Sequence, residues 1–126
     1  MPDRLVVTAW LATFAVIAWA SLSPPDAQAS GSGNGSLITN LGHIPAYALL
    51  TTFTLWLAQA RFATRVRGAG IAAAVALAIG GAFEGIQPLI GRDGNFTDVT
   101  LNSMGVALAL LIWSQGWRPK LYLSSR

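Results

Sequence analysis

The chain contains no cysteine and a single histidine among its 126 residues, and Asp, Glu, Lys and Arg together make up only 10% of it. The absence of cysteine excludes a disulfide scaffold, thiol redox chemistry and a zinc site with cysteine ligands. One histidine likewise excludes a histidine-cluster metal site, and we predict neither a metal nor a cofactor. Because soluble domains carry about 25% charged residues, the chain does not have the composition of one.

The chain is instead rich in long apolar runs, and 53% of its residues are hydrophobic. Four such runs occupy about residues 5–22, 37–59, 69–90 and 99–117. A helix of about 18 to 20 apolar residues is long enough to cross the hydrocarbon core of a bilayer, which is roughly 30 Å thick. We therefore predict an all-α membrane protein, with residues 1–126 forming one domain, a bundle of four transmembrane helices.

The basic residues predict how this bundle is oriented. Three lie in the short second loop, three follow the fourth run, one lies in the third loop and none lies in the first: Arg61, Arg65 and Arg67; Arg118, Lys120 and Arg126; Arg92. Loops rich in Lys and Arg stay in the cytoplasm. We therefore predict a multi-pass protein of the inner (cytoplasmic) membrane with both termini inside, N-in and C-in. Because the basic residues form no single patch, we predict no nucleic-acid partner.

The first run has a second interpretation, because a signal sequence also combines a basic flank with an apolar stretch. Arg4 precedes the run, and Ala27-Gln28-Ala29 fits the small-residue cleavage pattern. Asp3 and the length of the run, against the usual 7 to 15 or so residues, favour an uncleaved span. Residues 23–36, which are rich in Pro, Gly and Ser, predict an exposed loop.

Two local features predict how the inner helices are shaped and packed. Pro45 cannot donate a backbone hydrogen bond to the carbonyl of Leu41, which predicts a kink or a separate short segment at the start of the second helix. Gly81-x-x-x-Gly85 is a pattern of small residues that lets helix backbones approach closely. We therefore expect the third helix to be the central one.

Glu84 is the one acidic residue inside an apolar run. An acid at the bilayer centre costs about 2.5–3.5 kcal/mol on insertion scales, so Glu84 needs polar partners. Pro88 lacks the N–H that would bond the Glu84 carbonyl, which adds an acceptor at this point. We expect Arg92 to reach back to Glu84 or Asp98. We also expect Thr97 or Asp98 to cap the fourth helix.

Polar side chains of three helices are predicted to meet at one level, near the non-cytoplasmic surface. Residues three or four positions apart share a helix face, and one such polar pair occurs in each of the last three helices. The candidate site has seven members: His43, Tyr47, Glu84, Gln87, Arg92, Asp98 and Asn102. Each also has a structural interpretation, as a packing residue, a helix cap, an interhelical hydrogen-bonding group or an interfacial cation. A structural network, ligand recognition and catalysis all stay open at this point.

These residues, in their order along the chain, resemble a known family. The segments His43-x-x-x-Tyr47, Glu84-x-x-Gln87, Gly91-Arg92, Asp98-Val99-x-x-Asn102 and Gly105 are similar to the pattern of the VanZ-like family of small bacterial membrane proteins. The resemblance covers residue 37 to about residue 113. Where the family often has Asp-Lys before the histidine, this chain has Thr39-Asn40. The resemblance implies a cell-envelope context and a link to resistance against the glycopeptide teicoplanin, and it implies no reaction.

The function we expect is binding of a lipid or envelope-precursor headgroup at the polar site on the outer face. One alternative is a membrane-embedded enzyme acting on a lipid headgroup, with Glu84 as general acid or base and Arg92 as a phosphate clamp. No nucleophile or glycine-rich phosphate loop accompanies these two residues, and we assign no catalytic residue. A small proton-coupled exporter is a second alternative, and a structural accessory protein is a third. The expected partners are membrane lipids or an envelope lipid precursor, and a homo-oligomer stays open.

Overall fold

The computed structural model describes residues 2–23, 35–59, 61–62, 64–92, 94 and 96–116. The described residues form four α-helices and no strand: α1 Pro2–Leu22, α2 Gly35–Gln59, α3 Arg65–Ile86 and α4 Phe96–Ser114, with a 3-10 turn, Gln87–Ile90, directly after α3. All four helices are long and apolar enough to cross a membrane, which confirms the predicted all-α fold with four helices of membrane-spanning length. The predicted cleavage pattern, most of the predicted first loop, Trp117 and the basic residues after it lie outside the described residues.

The ends of α3 are set by a cap and by a proline. The helix begins at Arg65, before the predicted start at residue 69, because the Thr64 hydroxyl oxygen accepts a hydrogen bond from the backbone N–H of Arg67 at 3.4 Å. It ends at Ile86, and Pro88 lies at the start of the 3-10 turn, where its missing N–H costs little. The apolar span nevertheless continues through this turn.

Two predictions about helix boundaries are corrected in α2 and α4. α2 runs through Pro45 as one helix from residue 35 to residue 59, so the predicted separate first segment is not formed. Neighbouring helices allow proline inside a membrane helix because they re-satisfy the freed backbone groups. α4 begins at Phe96, so Thr97 and Asp98 lie within its first turn and do not precede it as caps.

The central helix is α2, and the expectation that α3 is central is wrong. α2 packs against each of the other three helices and most extensively against α4. Its side chains Tyr47, Leu50 and Leu55 are fully buried. At Gly105 of α4, an added Cβ would collide with the carbonyl oxygen of Ile44 and lie 3.0 Å from the Cβ of Tyr47. Glycine at position 105 therefore lets α4 lie directly against the α2 backbone.

α3 packs into the bundle through small residues at every fourth position. The buried members of this row are Gly68, Ala72, Ala76 and Gly80. Gly81 and Gly85 lie on another face, where an added Cβ would meet no atom within 4 Å. The predicted close approach at Gly81 and Gly85 is therefore not made by any residue in the described ranges. The reason is helical rotation, since about 3.6 residues complete a turn and adjacent residues face different directions.

Candidate functional site

Polar side chains of α2 and α4 meet in a cluster around His43. The Nδ1 atom of His43 lies 2.8 Å from the Oδ1 atom of Asn102, which is only 3% exposed. Because an amide oxygen only accepts, Nδ1 carries a proton and donates this hydrogen bond. The ring of His43 also lies nearly parallel to that of Tyr47, with the centroids 6.4 Å apart.

α3 joins this cluster at Gly80. An added Cβ at Gly80 would lie 3.0 Å from Nδ2 of Asn102 and 3.2 Å from Cε1 of Tyr47. The missing side chain therefore leaves the space that these two polar residues occupy. Glu84, about one turn further along α3, is half-buried and interacts electrostatically with Tyr47. The structure thus brings together predicted site residues from three different helices.

Gln87 and Arg92 hold the C-terminal end of α1. Nε2 of Gln87 donates to the backbone carbonyl of Ser21 at 3.3 Å. Nη1 of Arg92 donates to the carbonyls of Ala20 at 3.1 Å and Ser23 at 2.9 Å. The last carbonyls of a helix lack intrahelical partners and form the negative end of its dipole, so a guanidinium is favourable there. These bonds fasten α1 to the segment that follows α3.

The predicted pairing of Arg92 with an acid is corrected by these contacts. Within the described part of the chain, the Arg92 guanidinium forms hydrogen bonds with the end of α1 and no ion pair with Glu84 or Asp98. Asp98 also differs from the other predicted members of the site. Its Oδ1 atom is buried without a hydrogen-bond partner among the described residues, and Asp98 does not line the cavity next to Arg92.

That cavity has a volume of about 270 Å³ and lies between the end of α1, the first half of α2 and the 3-10 turn. Four of the seven predicted site residues line it: His43, Tyr47, Gln87 and Arg92. Asn102 does not line the cavity, but it is hydrogen-bonded to His43, which does. The apolar part of the wall includes Val16, Ile17 and Ala46. The cavity therefore combines hydrogen-bonding groups with an apolar surface.

The cavity lies near the ends of the candidate spans formed by α1 and α3. Ser21 is one residue from the end of the span Arg4–Leu22, and Gln87 is three residues from the end of the span Arg65–Ile90. His43 lies deeper, eight residues after the start of α2 at Gly35, which is about 12 Å along the helix at 1.5 Å per residue.

Two groups that line the cavity keep hydrogen-bonding capacity that the described residues do not use. Gln87 is 2% exposed, and its Oε1 atom has no hydrogen-bond partner there. Leaving a buried acceptor unpaired costs about 1–3 kcal/mol, and most buried polar atoms in native proteins are paired. Arg92 uses Nη1 for the α1 carbonyls, while its Nε and Nη2 N–H groups have no partner in the described residues. The two groups are thus a buried hydrogen-bond acceptor, Oε1 of Gln87, and a positively charged hydrogen-bond donor, the Nε and Nη2 side of the Arg92 guanidinium.

The sequence pattern missed two components of this site. Gly80 lies four residues before Glu84 and therefore on the same helix face, so a search for small residues beside the buried acid would find it. The carbonyl acceptors at the end of α1 have no such signal, because every residue has a carbonyl. No group of three His, Cys, Asp or Glu side chains in the described ranges is placed to hold a metal ion.

Comparison with known proteins identifies no relative of this chain. The similarity to the VanZ-like family stays a prediction that rests on the residues quoted for it. No protein-family model, no curated protein and no solved structure matches the chain.

Proposed function

We propose that the chain is a VanZ-like, multi-pass protein of the bacterial inner membrane whose cavity binds the polar headgroup of a lipid or of a lipid-linked envelope precursor. The observation that carries the proposal is the Oε1 atom of Gln87, which has no hydrogen-bond partner among the described residues, in the wall of a cavity that Arg92 also lines. Because this oxygen is itself buried, a hydrogen-bond donor of the ligand would satisfy it once the side chains that cover it have moved aside. An anionic group of the same ligand would meet the guanidinium.

The position and the opening of the cavity also support a lipid as the ligand. Gln87 and Arg92 lie near the end of the candidate span formed by α3, the level at which we expect headgroups. Val16 lines the cavity and is 64% exposed, so the cavity opens on the outer surface of the bundle. A lipid can therefore place its headgroup in the cavity while its acyl chains stay in the surrounding membrane.

The orientation that we propose directs this cavity away from the cytoplasm. Arg61, Arg65 and Arg67 lie around the connection between α2 and α3, at the opposite end of the bundle from the cavity. By the positive-inside rule that end is cytoplasmic. The cavity then faces the outer leaflet, where it can meet an envelope precursor. The VanZ-like resemblance supports this context and extends the proposal to teicoplanin resistance.

The proposal is tested by measuring lipid binding after the cavity has been filled. Val16→Trp places a bulky side chain in the cavity wall and removes no hydrogen-bonding group. The matched control is Leu11→Trp, an exposed α1 position that does not line this cavity. Titration with phosphatidylethanolamine and phosphatidylglycerol, followed by native mass spectrometry in mild detergent, reports the bound lipid. We expect Val16→Trp to weaken binding by about tenfold or more, equivalent to about 1.4 kcal/mol.

The control makes the outcome specific to the cavity. Leu11→Trp should bind both lipids as the wild-type protein does, since it changes α1 in the same way at a distance from the polar groups. Unaltered lipid binding by Val16→Trp would overturn the proposal, and so would an equal loss in both variants.

A further inference from the structure

We infer that the cavity selects headgroups in which a phosphodiester is joined to an N–H or O–H donor, such as ethanolamine or glycerol, over headgroups without a donor, such as choline. The inference rests on the proposed headgroup binding and specifies the class of ligand. The groups that support it are hydrogen-bonding atoms of three residues that line the cavity, Gln87, His43 and Arg92.

The side-chain amide of Gln87 has a fixed orientation. Its Nε2 atom donates to the carbonyl of Ser21, so the amide cannot turn this donor toward a ligand without breaking that bond. The buried Oε1 atom is therefore the acceptor that Gln87 offers to a ligand once the side chains that cover it have moved aside. A ligand that brings an N–H or O–H group satisfies it, and a ligand without a donor leaves it unpaired.

A second acceptor comes from His43. Its Nδ1 atom donates to Oδ1 of Asn102, so Nε2 is an acceptor in the neutral form of the ring. His43 lines the same cavity as Gln87. Two side-chain acceptors thus belong to one small site. Sites built to bond an N–H or O–H group discriminate strongly against analogues that lack it, because their own polar groups are then left unpaired.

The remaining observations concern charge and size. The Nε and Nη2 edge of Arg92 has no partner in the described residues, and this planar edge matches the geometry of a phosphate. The cavity volume of about 270 Å³ is at the lower limit of ligand pockets, which span about 300–1,000 Å³. It therefore suits a phosphate with a small alcohol or amine, and only the phosphate portion of a larger glycan-bearing precursor.

The experiment compares lipids that differ in hydrogen-bond donors while the phosphodiester is kept. Dissociation constants are measured by native mass spectrometry for phosphatidylethanolamine, its N-methyl and N,N-dimethyl forms, and phosphatidylcholine. The dimethyl form is nearly as bulky as choline and keeps one N–H, so it separates the effect of a donor from the effect of size. Phosphatidylglycerol and phosphatidylpropanol form a second pair, in which only the hydroxyl groups differ.

We expect the dimethyl lipid to bind about tenfold more tightly than phosphatidylcholine, and phosphatidylglycerol to exceed phosphatidylpropanol by a similar factor. Gln87→Met removes the acceptor with little change in side-chain length and should reduce both ratios. If Gln87→Met does not fold, the two lipid series on the wild-type protein still decide. Equal affinity for the dimethyl lipid and phosphatidylcholine would overturn the inference, as would a steady decline with each added methyl group.

The two experiments together distinguish a failure of headgroup selectivity from a failure of headgroup binding. If Val16→Trp fails to weaken binding of any lipid, headgroup binding in the cavity is wrong. If Val16→Trp weakens binding but donor-bearing and donor-free lipids bind equally, the cavity binds headgroups and only the selectivity is wrong.

Discussion

Gly105→Ala is the substitution that tests the central contact of the bundle most directly. The added Cβ would collide with the carbonyl oxygen of Ile44 and lie 3.0 Å from Cβ of Tyr47 and 3.1 Å from the backbone nitrogen of Ala48. Two of these three atoms belong to the α2 backbone and cannot move away by a change of rotamer. The methyl group is therefore accommodated only if α2 and α4 separate.

The expected cost follows from two opposing effects. Forcing an extra methyl group into a packed contact typically costs about 1–3 kcal/mol. Replacing glycine by alanine inside a helix returns about 0.5–1 kcal/mol. We therefore expect Gly105→Ala to lower the free energy of unfolding by about 1–2 kcal/mol. The matched control is Gly85→Ala, where the added Cβ meets no atom within 4 Å and the protein should be unchanged or slightly more stable.

The measurement is equilibrium unfolding by SDS in mixed micelles, followed through the fluorescence of the five tryptophans. Both variants replace glycine by alanine in a membrane helix, so their difference isolates the steric contact. A gap of about 2 kcal/mol corresponds to roughly a thirtyfold change in the unfolding equilibrium constant. If Gly105→Ala proves as stable as Gly85→Ala, α2 and α4 do not approach each other in the way that the packing argument requires.

Three further outcomes are expected. In the cysteine-free chain, Arg67→Cys should react with a membrane-impermeant thiol reagent only after the membrane is opened, and labelling of intact cells would contradict the N-in, C-in topology. Glu84→Gln should melt at a higher temperature than Glu84→Leu, because the amide keeps hydrogen bonds whose loss costs about 1–3 kcal/mol each, whereas equal melting temperatures would argue against a polar network. Arg92→Ala should lower the free energy of unfolding by about 1.5–3 kcal/mol, and by the same amount in the wild-type and Glu84→Gln backgrounds, because the Arg92 guanidinium bonds to the Ala20 and Ser23 carbonyls. A coupling energy above about 0.5 kcal/mol in the double-mutant cycle would instead indicate an ion pair between Arg92 and Glu84.

The sequence by itself determined how many helices are long and apolar enough to span a membrane, and it predicted the level of the polar residues. In lipid, each backbone polar group must be satisfied within its own helix, so the length of an apolar run is enough to predict a span. Counting residues from the ends of the runs also predicted that His43, Glu84 and Asn102 lie at one level toward one end of the bundle, because the rise per residue in a helix is constant. These properties depend on local composition and not on which helices become neighbours.

Only the tertiary structure decided which helix faces meet and what Arg92 binds. The third helix contains small residues on two faces, and the row that includes Gly80 faces the bundle while Gly81 lies outside it. Composition cannot distinguish the two faces, since both are apolar and small. The partners of Arg92 are backbone carbonyls at the end of α1, which no residue type marks. The cavity, and with it the Gln87 oxygen that has no partner among the described residues, therefore depends on how α1 packs against the turn after α3.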